Sequence, residues 1–138
     1  MEGKRSDGPE IVYPELSFKI NGVLFNARKS VGGFKNEKQY CDAIEFLLKE
    51  NGIVYKREKI LPTTLPDEQD GRNRVDFLID EEIVLEVKSK PFLTKNDYYQ
   101  VKRYLECLDK KLGILVNMRG YYIRPKRILN PKATVIRA

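Results

Sequence analysis

The chain is expected to fold as an α/β (α+β) sandwich, with helices packed on a mixed central β-sheet. Three observations predict this. Apolar residues recur at helical spacing in three segments. Short apolar or alternating runs, bounded by turn residues, fill five others. The resulting order is helix, helix, strand, strand, strand, helix, strand, strand. With 138 residues, 41% of them apolar and 33% charged, the chain can bury a core without disulfides or a structural metal. One domain over residues 11–138 is expected, preceded by a flexible polar tail over residues 1–10.

The first helix is placed over Leu16–Val31, where Leu16, Ile20, Val23, Leu24, Ala27 and Val31 keep a helical period, with Pro14 near the start. "VGG" ends it. The second spans Asn36–Glu50, with Tyr40, Ile44, Leu47 and Leu48 on one face and "NG" as its stop. "IVYKREKIL" has the character of a strand. The Pro- and Gly-punctuated stretch from Pro62 to Asn73 is expected to be a long, mobile loop close to function. "VDFLI" and "IVLEV" are paired strand candidates. Thr94 and Asp97 have the spacing of an N-cap with an acidic third residue, and Tyr98, Val101, Leu105 and Leu108 then keep the period of a buried helix. "LGILVNM" reads as a strand covered on both faces, and "GYYIRPKRI" as a last one.

Composition narrows the chemistry. There is no histidine, which excludes Ser-His-Asp and Cys-His catalysis and Cys/His zinc sites. Cys41 and Cys107 are too few for a thiolate site; lying in helical segments without a secretory signal, they predict buried free thiols and a cytoplasmic location. No apolar run is long enough for a membrane span. The net charge of +6 and a pI near 9.3 permit an anionic partner, and basic residues thicken toward the C-terminus.

An antiparallel hairpin turning at Glu81 sets Val75 opposite Val87, Phe77 opposite Leu85 and Ile79 opposite Ile83, which makes one face wholly apolar. The same register sets Asp76 opposite Glu86 on the other face, with side-chain roots about 5 Å apart. Lys88 follows on that face, and Leu78 and Val84 complete it. Two carboxylates so close repel unless a proton or cation lies between them. One reading is an internal ion-pair network, Lys88 neutralising one acid and Arg74 reaching the other. The other is a divalent-metal site in which two acids bind the ion and the lysine steadies water or developing charge. A metal held by carboxylates and carbonyls alone would be Mg2+, with Mn2+ as the alternative. Glu37, three residues before Tyr40 and seven before Ile44, points with the buried stripe of its helix and offers a third carboxylate.

An acidic residue on an early helix, an Asp on one strand and Glu-x-Lys on the next resemble the PD-(D/E)XK nuclease superfamily; here these are Glu37, Asp76, Glu86 and Lys88. "QVKRY", with Gln100 and Tyr104 one turn apart, resembles the Gln-Tyr element of its RecB-like branch. From Glu15 to Asn130 the chain is similar to the small GxxExxY proteins of that superfamily, except that Gly33 precedes Glu37 by four residues rather than three.

The resemblance implies a restriction-endonuclease-like core and a metal-dependent nuclease acting on nucleic acid, DNA above all. It implies that Asp76 and Glu86 bind one or two Mg2+ ions, with the Val87 carbonyl and Glu37 as further ligands. Lys88 would position the attacking water. Gln100 would hold Lys88 or a phosphate, and Tyr104 stands as the least specific member of the set. Arg72, Arg74, Lys90, Lys102 and Arg103 are the candidate phosphate contacts. Two other functions share the fold: a catalytically silent binding module, and a junction-resolving homodimer.

Overall fold

The structure, a computed structural model, describes residues 12–61 and 74–133. The expected tail, the loop from Pro62 to Asn73 and Arg72 with it lie outside the described residues.

Eight elements follow in the predicted order: α1 (Pro14–Val31), α2 (Glu37–Glu50), β1 (Tyr55–Ile60), β2 (Arg74–Ile79), β3 (Ile83–Lys88), α3 (Lys95–Leu108), β4 (Leu112–Asn117) and β5 (Lys126–Leu129). Proline at the first turn of α1 loses no helical hydrogen bond, because that N–H has no partner inside a helix. Asn36 caps α2: its Oδ1 accepts from the Gln39 N–H at 2.8 Å, while Gln39 Oε1 accepts from the Asn36 N–H at 3.0 Å. At α3 the Asp97 carboxylate reaches back to the Thr94 N–H at 2.7 Å.

The five strands lie in the order β1-β2-β3-β4-β5. Neighbours are antiparallel except β3 and β4, which run parallel because α3 crosses over between them. On one face Phe77, Ile79, Leu85 and Val87 pack with Leu24, Tyr40 and Ile44 of α1 and α2. On the other, Leu78, Val84 and Leu115 pack with Val101, Tyr104 and Leu105 of α3. The sheet is therefore covered on both sides. At Gly113 a Cβ would lie 2.6 Å from Val101 Cγ1, so only glycine lets α3 come this close to β4.

The C-terminal strand is shorter than "GYYIRPKRI" suggests. Gly120 takes a φ of 106° and Pro125 has no N–H to offer a ladder, so pairing begins only at Lys126. Cys41 is buried, but Cys107 is only half-buried; both are free thiols. Among the described residues no helix is long and apolar enough to cross a membrane.

Candidate active site

The hairpin holds the expected register at Phe77–Leu85, Leu78–Val84 and Ile79–Ile83. The apolar pattern selects it, and Asp80 and Glu81, both with positive φ, close the turn. The expected Val75–Val87 pair does not form. Val75 packs on the α3 side with Leu78, whereas Val87 packs on the α1/α2 side. The strands part because the acids take over the backbone donors: the Asp76 N–H donates to Glu86 Oε1 at 2.8 Å, and the Val87 N–H donates to Asp76 Oδ2 at 2.8 Å. The β1–β2 ladder likewise skips the Glu58–Asp76 position, where Glu58 has a φ of 56°. A non-glycine residue in that conformation inside a strand is strained, as is common beside functional groups.

Asp76 and Glu86 are thus locked together. Glu86 is only 3% exposed. Burial, and after it the Asp76 charge, push its carboxyl up to about 8. Burial raises the Asp76 carboxyl to about 6, with the Val87 N–H opposing the shift and the Glu37 charge adding to it. The two titrate as a pair that would retain a proton near neutral pH unless a cation replaced it. Lys88 Nζ stands 3.8 Å from Glu86 Oε2 and donates to Gln100 Oε1 at 3.1 Å.

The charge network weighed from the sequence forms only in part: Lys88 is within ion-pair distance of Glu86, but Arg74 does not reach Asp76. Arg74 pairs with Glu58 at 3.0 Å, and among the described residues no cation comes within ion-pair distance of Asp76. Arg57 supplies positive potential nearby, but its guanidinium is held by Asp42 and Glu45, each at 2.8 Å.

Glu37 is exposed rather than buried with the stripe of its helix, because the stripe is covered only from Tyr40 onward. It lines a hollow of about 280 Å³ with Lys38, Cys41, Arg57, Glu58 and Asp76. Its helix entry is anchored by Tyr40, whose hydroxyl donates to the Gly32 carbonyl and accepts the Lys35 N–H at 3.3 Å. Burial, then the Asp76 charge, raise the Cys41 thiol far above its ordinary value, which keeps it neutral beside the acids. Arg57 and Glu58 were not singled out from the sequence, and Cys41 was read only as a buried free thiol. In β1, Tyr55 and Arg57 lie beside Ile79 and Phe77 on the α1/α2 side, a placement that the charged run "YKREKI" does not announce.

Tyr104 is buried against β3 and β4, and its hydroxyl is raised to about 12, by burial first and the Glu86 charge second. The basic candidates are scattered. Lys90 Nζ is bound to Asp97 at 2.9 Å. Burial pushes the Asp97 carboxyl up, but the bonds from Thr94 and Lys90 outweigh it and leave it below its usual range. Lys102 faces a hollow with Glu106 and Leu129 at the far end of α3, and Arg103 lies over the Tyr104 ring at 5.4 Å.

Among the described residues, no three Asp, Glu, Cys or His side chains stand close enough to hold a metal by themselves. Asp76 and Glu86 nevertheless fit a hard divalent cation. Each uses one carboxylate oxygen on a backbone N–H and keeps the other, and the buried pair needs positive charge to ionise. Two carboxylate oxygens, with water and substrate phosphate completing the shell, are a usual magnesium environment.

A five-stranded mixed sheet between two helices and one, with an acid pair and a lysine where its central hairpin splays, defines a restriction-endonuclease-like core of the nuclease type. The sequence profile of the PD-(D/E)XK nuclease superfamily matches residues 14–128, and the chain belongs to that superfamily. No curated protein and no solved structure matches it at a significant level.

Proposed function

We propose that the protein is a magnesium-dependent nuclease that hydrolyses nucleic-acid phosphodiesters, with DNA as its substrate. The observation that carries this reading is the reciprocal lock of Asp76 and Glu86, which buries two carboxylates with Lys88 3.8 Å from Glu86 and, among the described residues, no cation in ion-pair distance of Asp76. A bound Mg2+ would supply Lewis acidity and a water of lowered pKa. Asp76 and Glu86 would hold it through their unused oxygens, with the Val87 carbonyl and, through water, Glu37 as further contacts. Lys88, steadied by Gln100, would orient the attacking water and offset charge developing on the phosphate. Within the superfamily, the chain is assigned to the GxxExxY proteins on Glu37 and Tyr40, the tyrosine fixing the loop that presents the glutamate.

Incubating the purified chain with labelled DNAs and RNAs, in magnesium, manganese or chelator, tests the proposal. Cleavage that needs metal and is absent from Asp76→Asn is expected. A silent binding module would neither cleave nor titrate with magnesium. Mass in solution, with branched against linear DNA, separates a monomeric nuclease from a junction-resolving homodimer.

A further inference from the structure

Three loops meet at the ends of β3 and β4: residues 32–36, 89–94 and 118–125. They are fastened together. The Gly120 N–H donates to the Gly33 carbonyl at 3.2 Å, and the Ser89 hydroxyl donates to the Lys35 carbonyl. The Met118 N–H donates to the Lys88 carbonyl at 2.8 Å. Asn117 accepts from the Lys90 N–H at 3.2 Å and donates to the Lys90 carbonyl at 2.9 Å. At Gly33 a Cβ would fall 2.4 Å from Arg28 Nη2, whose guanidinium donates to the Gly120 carbonyl, so a larger residue would displace that guanidinium. These bonds tie the loops to the strand that bears Glu86 and Lys88.

The platform so formed has an unusual surface. Phe34, Phe92, Tyr121 and Tyr122 are 66%, 72%, 87% and 84% exposed, and no large aliphatic side chain of these loops is. Lys35, Arg119, Arg124 and Lys126 lie among or beside them, and residues 32–36, 89–94 and 118–129 contain no Asp or Glu. Arg119 stacks over the Phe34 ring at 5.7 Å, and with Tyr122, Arg124 and Lys126 it lines a shallow hollow of about 310 Å³.

Cations without acids attract phosphate. Exposed rings stack on bases of any identity, but only where those bases are not already stacked in a duplex. A protein-docking patch would add exposed aliphatic surface and acids among its bases; here Pro91 and Leu93 line the hollow, but the strongly exposed large side chains of the loops are aromatic and the loops themselves carry no acid. We propose that this platform binds unpaired nucleotides of a nucleic-acid strand and delivers that strand to the Asp76–Glu86–Lys88 site. The inference rests on the nuclease reading for its partner, and it specifies single-stranded or flap-bearing substrate.

The test is fluorescence anisotropy with end-labelled oligonucleotides of about 12 nucleotides, single-stranded and duplex, using the full chain in chelator so that no cleavage intervenes. Single strands should bind more tightly than duplex. Tyr122→Ala and Phe34→Ala should each weaken single-strand binding by roughly five- to tenfold, as loss of one stacked base predicts. Tyr122→Phe, and Phe18→Ala on the exposed face of α1, should stay within about twofold. Single-strand affinity unchanged in both alanine variants overturns the proposal. So does equal loss toward duplex, or a wild-type dimer that these variants dissociate. A chain that binds single strands through Tyr122 yet never cleaves in magnesium would sink the nuclease reading alone; one that cleaves but ignores both substitutions would sink this inference alone.

Discussion

Asp76→Asn separates a metal site from a structural acid. Asparagine keeps the shape, and its carbonyl can still accept the Val87 N–H that Asp76 Oδ2 now takes at 2.8 Å. What disappears is a charge that burial disfavours. The Asp76 carboxyl rises from 3.8 to about 6, so holding it ionised at neutral pH costs about 3 kcal/mol. The sign follows from the direction of the shift. Because the folded-state value lies above the unfolded one, this group favours folding fully below about pH 4, and that contribution is lost as pH rises through about 6. Removing the charge also relieves Glu86, whose second cause of elevation is Asp76. The new amide needs a partner for its NH2, which offsets part of the gain. In chelator at pH 7 the variant should be about 1–3 kcal/mol more stable than wild type, or roughly 3–10 °C in Tm for a chain of this size. Saturating magnesium should reverse the order. Wild type gains about 2.7 kcal/mol at a hundredfold excess over Kd, and the variant gains little. Thermal unfolding in chelator and in magnesium reads both effects, and cleavage should vanish in the variant. A variant less stable than wild type in chelator, or one that gains as much from magnesium, would refute the reasoning.

Other expectations follow from neighbouring contacts. Lys88→Ala removes the ammonium 3.8 Å from Glu86, so it should abolish cleavage and lower stability above pH 8 by about 1 kcal/mol, as urea unfolding would show. Gln100→Ala frees Lys88 from its 3.1 Å hydrogen bond; kcat should fall roughly ten- to a hundredfold with KM unchanged, and a KM effect alone would contradict the positioning role. Magnesium affinity, followed by calorimetric titration, should weaken steeply as pH drops below about 6, where both raised carboxyls hold their protons; a flat profile would remove them as ligands. Gly113→Ala forces Val101 away and should cost about 1–3 kcal/mol in chemical unfolding.

Much of the fold was legible because it is written in local periods. The stripe Ile20, Val23, Leu24, Ala27 and the run Leu112–Met118 declare their elements within a dozen residues. So does the hairpin register from Phe77 to Leu85, which a one-residue slip would turn inside out. The charge pattern of Asp76, Glu86 and Lys88 rides on that register, so the acid pair could be named before any coordinates. The sequence by itself therefore determined the element order, the central hairpin and the identity of the acids.

Only the tertiary structure decided how those acids are held. Backbone donors at Asp76 and Val87 are captured by carboxylates of the opposite strand, and the two strands part there. No propensity encodes that choice between a ladder bond and a side-chain bond. Glu37 is exposed although it shares a stripe with Tyr40, because a stripe is buried only where another layer covers it. The platform of Phe34, Phe92 and Tyr122 joins three loops that are distant in the chain, through Ser89 to Lys35, Asn117 to Lys90 and Gly120 to Gly33. Such contacts depend on where β3 and β4 come to lie side by side, and that is set by the α3 crossover and the close approach at Gly113, not by any period in the chain.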